Sequence, residues 1–128
     1  MATATKQTAS FTIYGRLSGL NEYTLKCRGN RYAGASLKKQ NEAKVSQAIL
    51  RSPNIANISG KVHITFKWYE QNKRRDLDNI AFAKKFIQDA LVELGYLEGD
   101  GWQHIVGFSD EFYIDKDNPR IEVVISEV

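Results

Sequence analysis

In SFTIYGRL, Phe11, Ile13 and Gly15 alternate with Thr12, Tyr14 and Arg16, which predicts a first strand with one face buried. KVHITFKWYE alternates more strongly, with Val62, Ile64, Phe66 and Trp68 on one side and His63, Thr65, Lys67 and Tyr69 on the other. IVGFSDEFYID and RIEVVISEV predict two final strands, joined through KDNP as an antiparallel hairpin. Elsewhere the spacing is helical. From Ile80 to Leu94 the residues Ile80, Ala83, Ile87, Ala90, Leu91 and Leu94 form one apolar stripe, and Gly95 is placed to end that helix. A short helix near Asn21 to Arg28, a break at Gly29 and Asn30, and a longer helix from Ala35 to Leu50 are expected before RSPNIANISG interrupts the pattern. The order is strand, helices, strand, helix, strand, strand. It predicts an α+β fold: a small mixed four-stranded sheet with two or three helices packed on one face. No repeat, low-complexity run or linker divides the chain, so residues 1–128 are read as one domain.

Composition agrees with a single globular unit: 128 residues, 42% hydrophobic and 26% charged. No stretch approaches the roughly 20 apolar residues needed to span a bilayer, and the start MATATKQTAS lacks the cationic and apolar regions of a signal peptide. The expectation is a cytoplasmic protein with no membrane segment. Cys27 is the only cysteine, which excludes an internal disulfide framework and a cysteine-based zinc cluster. His63 and His104 form no spaced ligand pair.

Charge changes the picture. The net +3 conceals a division: residues 1–75 hold 14 lysines and arginines against 3 acidic residues, net +11, whereas residues 76–128 hold 4 against 12, net −8. So basic a half suits a polyanion such as nucleic acid; the other reading is that the halves attract each other within the fold or across a dimer.

The division falls inside QNKRRDLDNIAF, where Lys73, Arg74 and Arg75 abut Asp76 and Asp78. If residues 76 to 78 are extended, alternation sends both carboxylates to one side, close enough to share a hard divalent ion. Glu98 and Asp100 in LEGDGW offer a further carboxylate. A helix of about 15 residues is about 22 Å long, so Asp100 reaches Asp78 only if the chain folds back after Gly95. The competing reading is a cap: Asp78 or Asn79 begins the helix, Asp76 adds a favourable charge, and the cations are a solvated loop. Lys85 lies seven positions after Asp78, opposite the apolar stripe, where it approaches the same phosphate or pairs with Asp89 at i+4. Beside Asp100, His104 reads as structural rather than as a base, and Trp102 as packed under the turn rather than stacked on a base.

RRDLDN, a helix containing KKFIQDAL, then LGYLEGDGW resembles the RusA-type Holliday junction resolvases, with weaker agreement in LNEY and RYAGA. The resemblance covers residues 74 to 126. It implies that Asp76, Asp78 and Asp100 are catalytic, metal-binding aspartates served by Mg²⁺ or Mn²⁺. It implies that Lys85 is the essential lysine, with Lys84 as the alternate, and that Arg74 and Arg75 contact DNA. The remaining expected DNA contacts are Lys73, Lys84 and, on the earlier helix, Lys38 and Lys39. The implied activity is cleavage of opposed strands of a four-way junction by a homodimer of bacterial or phage origin, with no small-molecule cofactor. Two alternatives stay open: a non-enzymatic DNA-binding module whose aspartates only cap a helix, and a nuclease for flaps or forks.

Overall fold

The computed structural model describes residues 6–128; the first five residues of the leading segment lie outside it. The elements are β1 (Thr8–Tyr14), α1 (Leu20–Gly29), α2 (Arg31–Arg51), β2 (Val62–Glu70), α3 (Leu77–Ala81), α4 (Lys84–Glu93), β3 (Ile105–Ile114) and β4 (Arg120–Glu127). The strands form one mixed sheet in the order β1-β4-β2-β3; β4 runs antiparallel to both its neighbours, and β2 is parallel to β3. The expected α+β architecture is present.

The alternation in the strands sets the layers. Phe11 and Ile13 of β1, Val62, Ile64, Phe66 and Trp68 of β2, and Ile121, Val123 and Ile125 of β4 are buried. With them in the core lie Val45 and Ile49 of α2 and Phe86, Ile87, Ala90 and Leu91 of α4. The interleaved strand residues, His63, Thr65, Lys67 and Tyr69 among them, are half-buried on the opposite face. None of the described helices is long and apolar enough to cross a membrane.

Three expectations are corrected. The last two strands are not a hairpin, because β2 lies between them. The connection crosses the end of β2, where the Asp115 N–H donates to the Glu70 carbonyl at 2.8 Å and the Gly15 N–H to the Pro119 carbonyl at 2.9 Å. Arg120 fastens this crossing through Asp115 Oδ2 at 2.8 Å and the Asn118 carbonyl at 3.0 Å. The second helix begins at Arg31, not Ala35, because the Asn30 side chain caps it by accepting from the Ala33 N–H at 2.8 Å.

The third helix is divided. At Phe82 and Ala83 the bonds tighten to three-residue spacing: Ala83 N–H to Ile80, Lys85 N–H to Phe82 and Phe86 N–H to Ala83. Ile80 and Ala83 remain buried across the break, and Phe86 joins the stripe. Gly95, at φ +82°, ends α4 as expected. The Tyr96 N–H donates to the Leu91 carbonyl at 2.9 Å and the Gly95 N–H to Val92 at 3.0 Å, the paired bonds of a Schellman stop.

Candidate functional site

The Arg-Arg-Asp-Leu-Asp-Asn segment leaves β2 and enters α3, and two of its six residues, Arg75 and Asn79, are spent on fixing the chain's front. Arg75 turns inward: its guanidinium donates to both Glu70 oxygens, at 3.0 and 2.8 Å, and to the Leu17 carbonyl at 3.1 Å. Both side chains are largely buried, 12% and 8% exposed. Arg75, expected as a DNA contact, is therefore committed to an internal fork that neutralises a buried carboxylate.

Asn79 is spent in the same way. Its Oδ1 accepts from the Asn21 N–H at 2.9 Å, so it satisfies an open donor in the first turn of α1, not of its own helix. Gly19 makes the approach possible, since a Cβ there would lie 2.4 Å from Asn79 Oδ1 and 2.9 Å from the Asn79 carbonyl. Buried Asn41 of α2 pins the same loop, accepting from the Ser18 N–H at 2.8 Å and donating to Ser18 Oγ at 3.0 Å.

The two aspartates do not share an extended segment. Asp76 is extended and precedes α3, but Leu77 and Asp78 are already helical, so at about 100° per residue the alternation that would align the carboxylates is lost. The cap reading is corrected as well. Asp76, not Asp78 or Asn79, occupies the cap position and makes no side-chain cap bond, while Asp78 Oδ1 accepts from the Asn79 N–H at 2.9 Å. Asp76 instead lines a cavity of about 360 Å³ with Glu70, Lys73, Ile80, Phe112 and Tyr113.

The chain does fold back after Gly95. Buried Leu97 anchors it through a bond from its N–H to the Leu91 carbonyl at 3.2 Å. Asp100 then reaches Lys85, with Oδ2 3.7 Å from Nζ. The same ammonium lies 3.2 Å from Asp89, so the i+4 pair and the longer contact coexist. The Asp89 carboxylate, followed by Asp100, raises the Lys85 pKa against a smaller opposing effect of burial. Lys38 continues the chain of charges, 3.4 Å from Asp89 and 3.8 Å from Glu42. Partial burial, aided by Asp89 and Glu93, raises the Glu42 pKa, while Lys38 opposes the rise.

Asp100 is thus drawn to Lys85, Asp76 lines the cavity and Asp78 lies in the first turn of α3. Among the described residues no group of three or more His, Cys, Asp or Glu side chains is set to hold a metal ion. As arranged, the three carboxylates do not fit a preformed site for Mg²⁺ or Mn²⁺.

Lys84 diverges from its neighbour because of the break before α4. It reaches the sheet, donating to Asp110 at 2.6 Å and lying over the rings of Phe66 and Phe108. Trp68 Nε1–H holds the other oxygen of Asp110 at 2.9 Å. Asp110 was not singled out in the sequence, although it sits opposite buried Phe66 in the register, a carboxylate at a core-face position. Of the cations expected to contact DNA, Lys39, Lys73 and Arg74 are exposed, and none of these three has a carboxylate partner among the described residues. Trp102 is 95% exposed and does not pack under the turn. His104 does pack there: its ring occupies the space over Gly99, where a Cβ would meet it at 2.8 Å. Compared with protein-family models and with curated proteins, the chain matches none.

Proposed function

We propose that the chain is a divalent-metal-dependent endodeoxyribonuclease of the RusA type, acting as a homodimer on four-way or otherwise branched DNA. The observation that carries this reading is the return of the acidic turn along α4. Asp100 lies 3.7 Å from Lys85 of α4, the helix that follows the Asp-Leu-Asp-Asn segment of α3, so two parts of the resembling motif that are distant in sequence are neighbours in space.

The charge distribution supports a polyanion partner. Of the nine ion pairs among the described residues, only Lys38–Asp89 joins a cation of residues 1–75 to an acid of residues 76–128. Attraction between the halves therefore leaves most of the basic charge unspent. In this reading Lys73, Arg74 and Lys39 hold backbone phosphates, which positions DNA without reading its bases. Lys85, kept cationic by its two carboxylates, faces the phosphate to be cut. Exposed Trp102, two residues from Asp100, offers a ring for an unpaired base at a branch.

The test is cleavage of synthetic junction, fork and linear duplex side by side in Mg²⁺ and in Mn²⁺, with wild type and Asp76→Asn. Junction cutting by the wild type, lost in Asp76→Asn while junction binding persists, is the expected result. Equal cutting by both proteins would remove the mechanism. Salt-sensitive binding with no cutting in either ion would leave a DNA-binding module, and preference for the fork would reassign the substrate.

A further inference from the structure

A cavity of about 490 Å³ lies away from the aspartates, between β1 and α2. Its α2 wall is Lys44, Gln47, Ala48 and Arg51, one helical face at spacings of three and four; Arg16 stands at one end, and Ser52 to Asn54 close the other. Neither Arg16, Lys44 nor Arg51 has a carboxylate partner among the described residues. The volume is that of an ordinary ligand cleft.

The floor of the groove is a sheet edge. β1 pairs only with β4, so its other side faces out. Gln7 and Gly15 direct their main-chain bonds toward the β4 side. The odd-numbered positions of β1 therefore face β4 and the even-numbered ones face outward. Ser10 confirms the phase: its N–H donates to the Asn54 carbonyl at 3.2 Å and its carbonyl accepts from Ser52 Oγ at 2.8 Å. Past that closure, the N–H and C=O of Thr12 and Tyr14 point outward with no partner among the described residues. An open edge that both donates and accepts suits an added strand. Phosphodiester groups only accept, so a DNA backbone would leave the Thr12 and Tyr14 carbonyls unmatched.

We propose that this groove binds an extended acidic segment of a partner protein. Its main chain pairs with Thr12 and Tyr14, and its carboxylates meet Lys44, Arg51 and Arg16. The closure at Ser10 limits the added strand to about four or five residues, about 15 Å at 3.3 Å per residue. The site is independent of the nuclease reading, because it uses none of the residues assigned to cleavage.

The experiment uses the whole chain and a fluorescein-labelled eight-residue peptide of alternating glutamate and valine, with an eight-nucleotide oligo-dT as comparison. Anisotropy gives affinity, and amide hydrogen exchange reports Thr12 and Tyr14. The expected result is saturable peptide binding, weakened about tenfold or more in Lys44→Glu/Arg51→Glu, with slower exchange of both amides in the complex. N-methylation of the peptide backbone should abolish it. Unchanged affinity in the double variant, or no protection at Thr12 and Tyr14, overturns the proposal. So does oligo-dT whose binding, unlike the peptide's, falls with charge reversal. Protection that grows with protein concentration alone would assign the edge to a second copy and likewise overturn it.

Discussion

Gly19 and Asn79 lie 60 positions apart, and a Cβ at Gly19 would meet both the side-chain and the main-chain oxygen of Asn79, which makes the pair the sharpest test of how the front of the chain is held to α3. Gly19→Ala should cost about 1–3 kcal/mol, because the new methyl meets both an amide oxygen and main chain. Asn79→Ala should cost about 1 kcal/mol, the usual loss of a helix cap. The double variant should lose less than the sum, since one clash disappears with the amide; denaturant unfolding of all four proteins reads this directly. Arg75 offers a second test. Arg75→Ala strands buried Glu70 and should destabilise by about 3–5 kcal/mol, whereas exposed Lys73→Ala should fall within about 0.5 kcal/mol of wild type in the same measurement. The sequence could not separate these cations. Lys73, Arg74 and Arg75 are consecutive and alike, and only the position of Glu70 at the end of a buried strand face decides which turns inward.

At the scale of elements, periodicity located every strand and most helical residues, because each element buries one face against a single core. It failed where neighbours in space are distant in the chain. The hairpin expectation treated the short Asp115–Pro119 link as joining paired strands, yet the link only has to cross one strand end, and Asp115 and Arg120 hold it there. That crossing has a pH signature. Arg120 holds the Asp115 carboxyl below its usual range, helped by main-chain donors at Asn118 and Asp117. A depressed carboxylate contributes stability above the unfolded pKa of about 3.9 and loses it as pH falls through the lower folded value. Carboxyl-carbon NMR titration should place Asp115 below about 3.9 and show it moving upward in Arg120→Ala. The break at Phe82 and Ala83 was equally hidden, since the apolar stripe runs through it. Its effect is to send Lys84 to Asp110 and Lys85 to Asp100, a choice that spacing along an unbroken helix leaves open.

For the whole molecule, the charge division was legible in the sequence, and its use was not until the ion pairs were located. Because among the described residues one pair alone crosses between the halves, salt should act on partner binding far more than on folding. Junction affinity should fall linearly on a log–log plot against salt, with a slope of about −0.9 for each phosphate neutralised, while the thermal midpoint in the same buffers moves little. A midpoint that drops in step with affinity would mean that the basic charge is consumed internally after all. The sheet order carries one more consequence, and it concerns synthesis. β4 is made last yet sits between β1 and β2, so the first strand has no sheet partner until residues 120–127 leave the ribosome. A nascent or prematurely ended chain that lacks β4 therefore presents β1 unmated and β2 with one edge open, the form most open to proteases, chaperones and mispairing with its own siblings.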